Sequence, residues 1–150
     1  MKKTMVLLLM VCICLSICAC GKNEGVKKNS VREISPGVVE VDGCRVEIYG
    51  YYERVNSYVL TGSVYIRFTN NSGENCSLTD KVEIRAYQNG AQCSNYMSGY
   101  VKLFDVDHTT KVLNGSTVET GRAFKVKKDV PILIQIVVAV KVVSEVKYNT

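Results

Sequence analysis

The sequence predicts an all-β protein: an antiparallel sandwich of seven or eight short strands over residues 38–150. Three observations carry this reading. Apolar and polar residues alternate with period two through several stretches, the turn dipeptides Asp42-Gly43, Asn89-Gly90 and Asn114-Gly115 recur between them, and no segment keeps a helical period. With 47% hydrophobic and 22% charged residues, the chain has the composition of a globular domain able to bury one core.

Val39 and Val41 alternate with Val38 and Glu40 up to Asp42-Gly43, a pair suited to the φ > 0 positions of a tight hairpin. Cys44, Val46 and Ile48 then resume the alternation against Arg45, Glu47 and Tyr49. From Tyr58 to Thr69, Val64, Ile66 and Phe68 share one face and Tyr65, Arg67 and Thr69 the other, which predicts a central strand ending at the loop Asn70-Asn71-Ser72-Gly73. Val82, Ile84 and Ala86 alternate up to Asn89-Gly90, a two-residue turn returning the chain through Ala91 to Tyr96. That turn sets Gln88 opposite Ala91 and Ala86 opposite Cys93. A further strand is expected at Tyr100 to Phe104, then a polar loop from Asp105 to Thr110 and a strand from Thr117 to Val126. Ile132 to Val146 reads as one final strand, buried on both faces over its first half, with Pro131 and β-branched dominance favouring strand over helix.

Ahead of this domain the chain begins Met1-Lys2-Lys3, continues with an apolar run and reaches Ile17-Cys18-Ala19-Cys20-Gly21. A basic start, an apolar middle and a small residue before a cysteine are the parts of an export signal. From Met5 to Ala19 the run is shorter than the ~20 residues of a spanning helix, so cleavage is favoured over a retained membrane segment. Ile17 to Cys20 resembles the lipobox of bacterial lipoprotein precursors. The resemblance implies cleavage after Ala19 and a diacylglyceryl group on the Cys20 thiol, two acyl chains being enough for stable anchoring. The expected organisation is therefore a signal peptide at 1–19, a lipidated N-terminus and tether at 20–37, and the β-domain at 38–150. As a coil, Gly21 to Gly37 would span roughly 20 to 25 Å.

The formal charge is +5, and Lys2 and Lys3 leave with the signal. The remaining basic residues are scattered, apart from Lys125, Lys127 and Lys128, so no nucleic-acid-binding stripe is expected. Of the seven cysteines, Cys44, Cys76 and Cys93 belong to the domain. Cys76 and Cys93 are the candidate disulfide, with buried free thiols as the alternative, and the spacing lacks the close pairs of a zinc site.

The strand end Thr69-Asn70-Asn71-Ser72, the hairpin Ala86-Tyr87-Gln88-Asn89-Gly90, the turn Leu113-Asn114-Gly115-Ser116 and the apolar run Val130 to Val138 together resemble a family of uncharacterised immunoglobulin-like domains carried on Gram-positive lipoproteins. The resemblance covers most of residues 38–150. It implies an immunoglobulin-like, telokin-like sandwich on the extracytoplasmic face of the cell membrane, serving adhesion or ligand binding without catalysis.

A catalytic reading has one focus. Asp105, Asp107 and the single histidine, His108, could serve a metal-dependent hydrolase, although an EF-hand loop starting at Asp105 would need Gly and Glu where Thr110 and Ser116 stand. A polar connecting loop is favoured, and no nucleophile elbow, phosphate-cradling glycines or Cys/His couple occurs. No catalytic residue, metal or cofactor is expected. Recognition falls instead to the tyrosines. Tyr65 and Tyr87, beside Arg67, Arg85 and Glu83, are expected on polar strand faces, either as one aromatic-basic patch or as cross-strand pairs. The expected function is a non-catalytic binding module, or an accessory subunit of an envelope complex. Its expected partners are the membrane, through Cys20, and an envelope protein or extracellular ligand.

Overall fold

The computed structural model describes residues 30–56, 58–96, 104 and 106–150. The expected signal peptide, Cys20, residues 21–29 of the expected tether, Asp105 and all but the last residue of the expected Tyr100–Phe104 strand lie outside the described residues. Two antiparallel sheets face each other. The first joins β1 (Val31–Ser35), β2 (Val38–Val41), β3 (Cys44–Asn56), β4 (Val59–Asn70) and β7 (Ser116–Lys125) in the order β1-β2-β3-β4-β7. The second joins β5 (Glu83–Gln88), β6 (Ala91–Gln92), β8 (Ile132–Val138) and β9 (Lys141–Tyr148) in the order β6-β5-β8-β9. One short helix, α1 (Leu78–Lys81), connects them.

Alternation builds the core. Val64, Ile66 and Phe68 of β4 are fully buried, as are Val39 and Val46, and they meet Ile84, Ala86, Ile132, Ile134 and Ile136 from the opposite sheet. Tight turns keep β1 to β4 adjacent: Asp42 and Gly43 take φ of 48° and 78°, the left-handed pair that a two-residue hairpin requires. The first sheet is thus a four-strand meander, with β7 returning beside β4. The sandwich is the predicted one, but its strand order differs from the ABED and CFG sheets of immunoglobulin domains, because consecutive hairpins hold the first four strands in one sheet.

The Asn89-Gly90 hairpin keeps its predicted register, with Gln88 opposite Ala91 and the Cys93 N–H donating to the Ala86 carbonyl at 2.8 Å. Beyond Gln92 the returning strand leaves this sheet. Lys125 N–H donates to Ser94 O and Tyr96 N–H to Ala123 O, so residues 94–96 lie along the free edge of β7.

Three further differences from the sequence reading have local causes. Val31–Ser35, assigned to the tether, forms β1; all five residues are exposed, so no buried face imprints a pattern on them. Pairing with β2, the Arg32–Glu40 ion pair at 2.8 Å and a Ser144 hydroxyl donating to Glu33 at 2.7 Å hold the strand in place. The expected final strand is two, β8 and β9, joined at Ala139-Val140, and its second face is half-exposed: Leu133 and Gln135 point outward, and Gln135 donates to Glu145 across the hairpin at 2.7 Å.

Ala139 and Val140 have φ of 46° and 65°, and Val140 is 90% exposed. A β-branched residue in the left-handed region is strained by roughly 1–2 kcal/mol with no burial to offset it. Replacing Ala139-Val140 by Asn-Gly is therefore expected to raise stability by about 1 kcal/mol, seen as a higher urea midpoint with an unchanged slope. An unchanged or lower midpoint would contradict the turn conformation.

The connection after β4 is held by polar groups. The Asp80 carboxylate in α1 accepts from the Ser77 N–H at 2.6 Å, the Ser77 hydroxyl at 2.8 Å and Lys111 at 2.6 Å. These donors, Lys111 first, hold its pKa down at about 2. At the far end Gln88, buried, donates to the carbonyls of Lys127 and Val130 and accepts from Lys127 N–H at 2.7 Å, closing the loop that leads into β8.

Candidate functional site

The outer face of the five-stranded sheet carries a contiguous row of aromatic and arginine side chains. Its centre is Tyr65 on β4, flanked in register by Gly50 on β3 and Gly121 on β7. Two glycines beside one tyrosine leave backbone uncovered, and aromatic rings cover it. Phe104 packs over Gly121 and meets Tyr65 edge-on, with ring centres 5.5 Å apart at 77°. On the other side Tyr49 lies 6.0 Å from Tyr65, tilted by 53°. Such ring pairs contribute about 0.5–1.5 kcal/mol each beyond their buried area.

Arg67 extends the row, its guanidinium 5.0 Å from the Tyr49 ring centre. It is held flat by Glu119 at 3.1 Å and Glu47 at 3.6 Å, and the Glu119 bond first of all raises its pKa. Tyr49 is 41% exposed. Partial burial, and then the charge of Glu119, push its phenol pKa upward, so the hydroxyl stays a proton donor at neutral pH. The surface offers aromatic area, the phenols of Tyr49 and Tyr65 and a guanidinium already shared by two carboxylates. It can stack and donate hydrogen bonds; it presents no nucleophile.

Of the two arrangements that the sequence allows for Tyr65 and Tyr87, the single patch containing both does not form. Tyr65 and Arg67 sit on β4 of the first sheet, whereas Tyr87, Arg85 and Glu83 sit on β5 of the second, so the two groups look out from opposite sides of the sandwich. On β5 the charges are paired with each other, Arg85 to Glu83 at 2.6 Å, and Tyr87 contacts Gln92 at 3.4 Å. Tyr49 and Phe104 complete the Tyr65 group; Tyr49 is among the tyrosines that sequence offers for recognition, whereas sequence alone does not point to Phe104. The β3 bulge between Ile48 and Gly50 sets where Tyr49 emerges, and Phe104 arrives from a loop.

Asp107 and His108 of the catalytic alternative are neighbours, Nδ1 to Oδ1 at 3.6 Å. Asp107 is committed to a turn, its carboxylate accepting from the Thr109 N–H at 2.7 Å and from the Thr109 hydroxyl. Burial and the charge of Arg122 lower the His108 pKa, favouring the neutral ring. Asp105 lies outside the described residues, among which no group of three or more His, Cys, Asp or Glu side chains could hold a metal ion.

The cysteines are arranged differently from the expected pairing. Cys44, Cys76 and Cys93 are all unbridged, and the neighbour of Cys76 is Cys44, with the sulfurs 3.5 Å apart. Cys93 follows β6, where its backbone bonds to Ala86. The difference is topological: Cys44 opens β3 directly opposite Asn70, the last residue of β4, and the short loop after Asn70 brings Cys76 back over that point.

No helix among the described residues is long and apolar enough to cross a membrane. No family model and no curated protein matches the chain. Among solved structures, that of a "putative lipoprotein" from Staphylococcus aureus subsp. aureus NCTC 8325 shares its fold, with a TM-score of 0.62 and 11% identity over 81% of this chain and 92% of that one.

Proposed function

We propose that this chain is a bacterial lipoprotein, anchored by a diacylglyceryl group on Cys20 at the extracytoplasmic face of the membrane. Its sandwich is a non-catalytic binding module that uses the Phe104, Tyr65, Tyr49 and Arg67 face. The observation carrying the anchor is the order of basic, apolar and small residues ending at Ala19-Cys20. The fold shared with the staphylococcal protein, described as a "putative lipoprotein", supports it. The binding role rests on the aromatic row, exposed at Tyr49 and half-buried at Tyr65 and Phe104, because tyrosine supplies contact area at low ordering cost and arginine and tyrosine are enriched among binding hot spots. Kinship with immunoglobulin-like lipoprotein domains rests on the turn motifs at Asn70 to Ser72 and Tyr87 to Gly90.

Geometry limits where the module acts. Ten residues, Gly21 to Ser30, separate Cys20 from β1 and reach at most about 35 Å when extended, so the domain works close to the bilayer. Partners are then other envelope proteins or ligands that come to the membrane surface. A Cys20→Ala variant is expected to move from the membrane fraction to the soluble fraction; its retention in the membrane would sink the anchor. For the binding face, a photoreactive residue replacing Tyr49 in intact cells should give a discrete adduct that the same residue replacing Tyr87 does not. Equal labelling from both positions, or none from position 49, would remove this face from the proposal.

A further inference from the structure

We propose that Cys44 and Cys76 are a redox pair that closes to a disulfide, stapling the start of β3 to the loop that follows β4. The sulfurs stand 3.5 Å apart, and both residues are buried. A disulfide needs about 2.05 Å, so closure requires them to approach by roughly 1.5 Å, within reach of small side-chain rotations. Their backbones cannot drift apart. Cys44 is paired on both sides, with Val41 of β2 and Asn70 of β4. Cys76 is pinned to Val112 by two backbone bonds, its N–H donating at 3.2 Å and its carbonyl accepting at 2.9 Å.

The surroundings suit a disulfide better than a metal. The other polar atoms at the sulfurs are the Asn70 amide oxygen, 3.4 Å from Cys44, and the Ser72 hydroxyl, 3.7 Å from Cys76. These two already bond to each other at 2.7 Å, so no third strong ligand is offered. Burial, reinforced by the neighbouring thiol, pushes the Cys44 thiol up to about 11. A reactive thiolate is therefore scarce once the domain has folded, and oxidation belongs to folding or to openings of the exposed loop from Asn71 to Asn75.

The oxidant is a disulfide, either small or on a thiol-oxidising protein. One cysteine thiolate attacks it and expels a first thiolate; the other cysteine attacks the mixed disulfide and expels the second. Two thiols become one S–S bond, two protons leave, and the oxidant gains two electrons as two thiols. Formation in cells rests on the extracytoplasmic address proposed above, since a reducing cytosol would keep the pair open.

The three domain cysteines fall on separate tryptic peptides, 33–45, 68–81 and 86–102, which makes the test direct. The full-length protein is equilibrated with oxidised glutathione, its free thiols are blocked with N-ethylmaleimide in denaturant, and the digest is read by mass spectrometry. The expected result is a linked pair of peptides 33–45 and 68–81, with N-ethylmaleimide on Cys93, and a thermal midpoint that falls by roughly 10 °C on reduction. Cys44 and Cys76 both carrying N-ethylmaleimide or glutathione, or a link that includes Cys93, would overturn the proposal. A second sample is acid-quenched directly from cells. A link that forms in the purified chain but is missing from cells would overturn the oxidising address and leave the geometry standing, so the two failures are distinguishable.

Discussion

Asn70→Ala is expected to cost about 3 to 4 kcal/mol of stability, a large share of the 5–15 kcal/mol typical of a domain. Asn70 is fully buried at the end of β4, and its amide uses every bonding position it has. Its Nδ2 donates to the carbonyls of Glu74 and Val112, each at 2.8 Å, while Oδ1 accepts from the Ser72 N–H at 3.1 Å, the Ser72 hydroxyl at 2.7 Å and the Cys44 thiol at 3.4 Å. One side chain thus shapes the loop and ties it to residue 112, far along the chain. Alanine leaves the Ser72 N–H without its acceptor, weakens two carbonyls and opens a cavity. Urea unfolding should show a lower midpoint with an unchanged slope.

Asn70→Asp separates bonding from shape. It keeps the volume but removes both donors and aims a carboxylate at two carbonyl oxygens. Burial would raise that carboxyl above its unfolded value, so the Asp variant should be least destabilised at acid pH and lose stability as pH rises through the raised value. A variant as stable as the parent at pH 7 would show that the amide is not the hub described.

How much of this was legible follows from the range of each signal. Asp42-Gly43 and Asn89-Gly90 announce their turns because the residues that tolerate positive φ are themselves the turn, and Val64, Ile66 and Phe68 announce a buried face because alternation is local. Ala139-Val140 announces nothing. Neither residue favours the left-handed region, and the apolar run on both sides hides the break. Val31–Ser35 was hidden for the opposite reason, as an exposed edge strand held by pairing, one ion pair and a hydrogen bond to Glu33. The candidate site was half legible. Alternation places Tyr65 beside Arg67, but separating them from Tyr87, or bringing Cys44 to Cys76, depends on which strands pair at long range. Nothing in a local pattern encodes that.

Gly121→Ala should be nearly as damaging, by roughly 3 kcal/mol, and it probes the aromatic face directly. Gly121 is buried on β7 opposite Tyr65, and a Cβ built there would overlap both the Phe104 ring and the carbonyl oxygen of Val64. Overlap with a loop ring is cheap if the ring can swing away; overlap with the backbone of the central strand is not, because β4 is held by β3 and β7 on both sides. The two contributions separate in a double-mutant cycle. Phe104→Ala in the Gly121→Ala background should recover about half of the loss, the remainder belonging to the Val64 carbonyl. Full recovery would place the whole conflict in the ring and make the glycine a device for seating Phe104. A Gly121→Ala protein with the parent's unfolding midpoint would contradict both overlaps, and with Phe104 off this strand the row from Phe104 through Tyr65 and Tyr49 to Arg67 would lose one end. Gly50 supplies the control: a Cβ there comes only to 3.7 Å from Tyr65, an ordinary contact, so Gly50→Ala should leave the midpoint within about 0.5 kcal/mol of the parent.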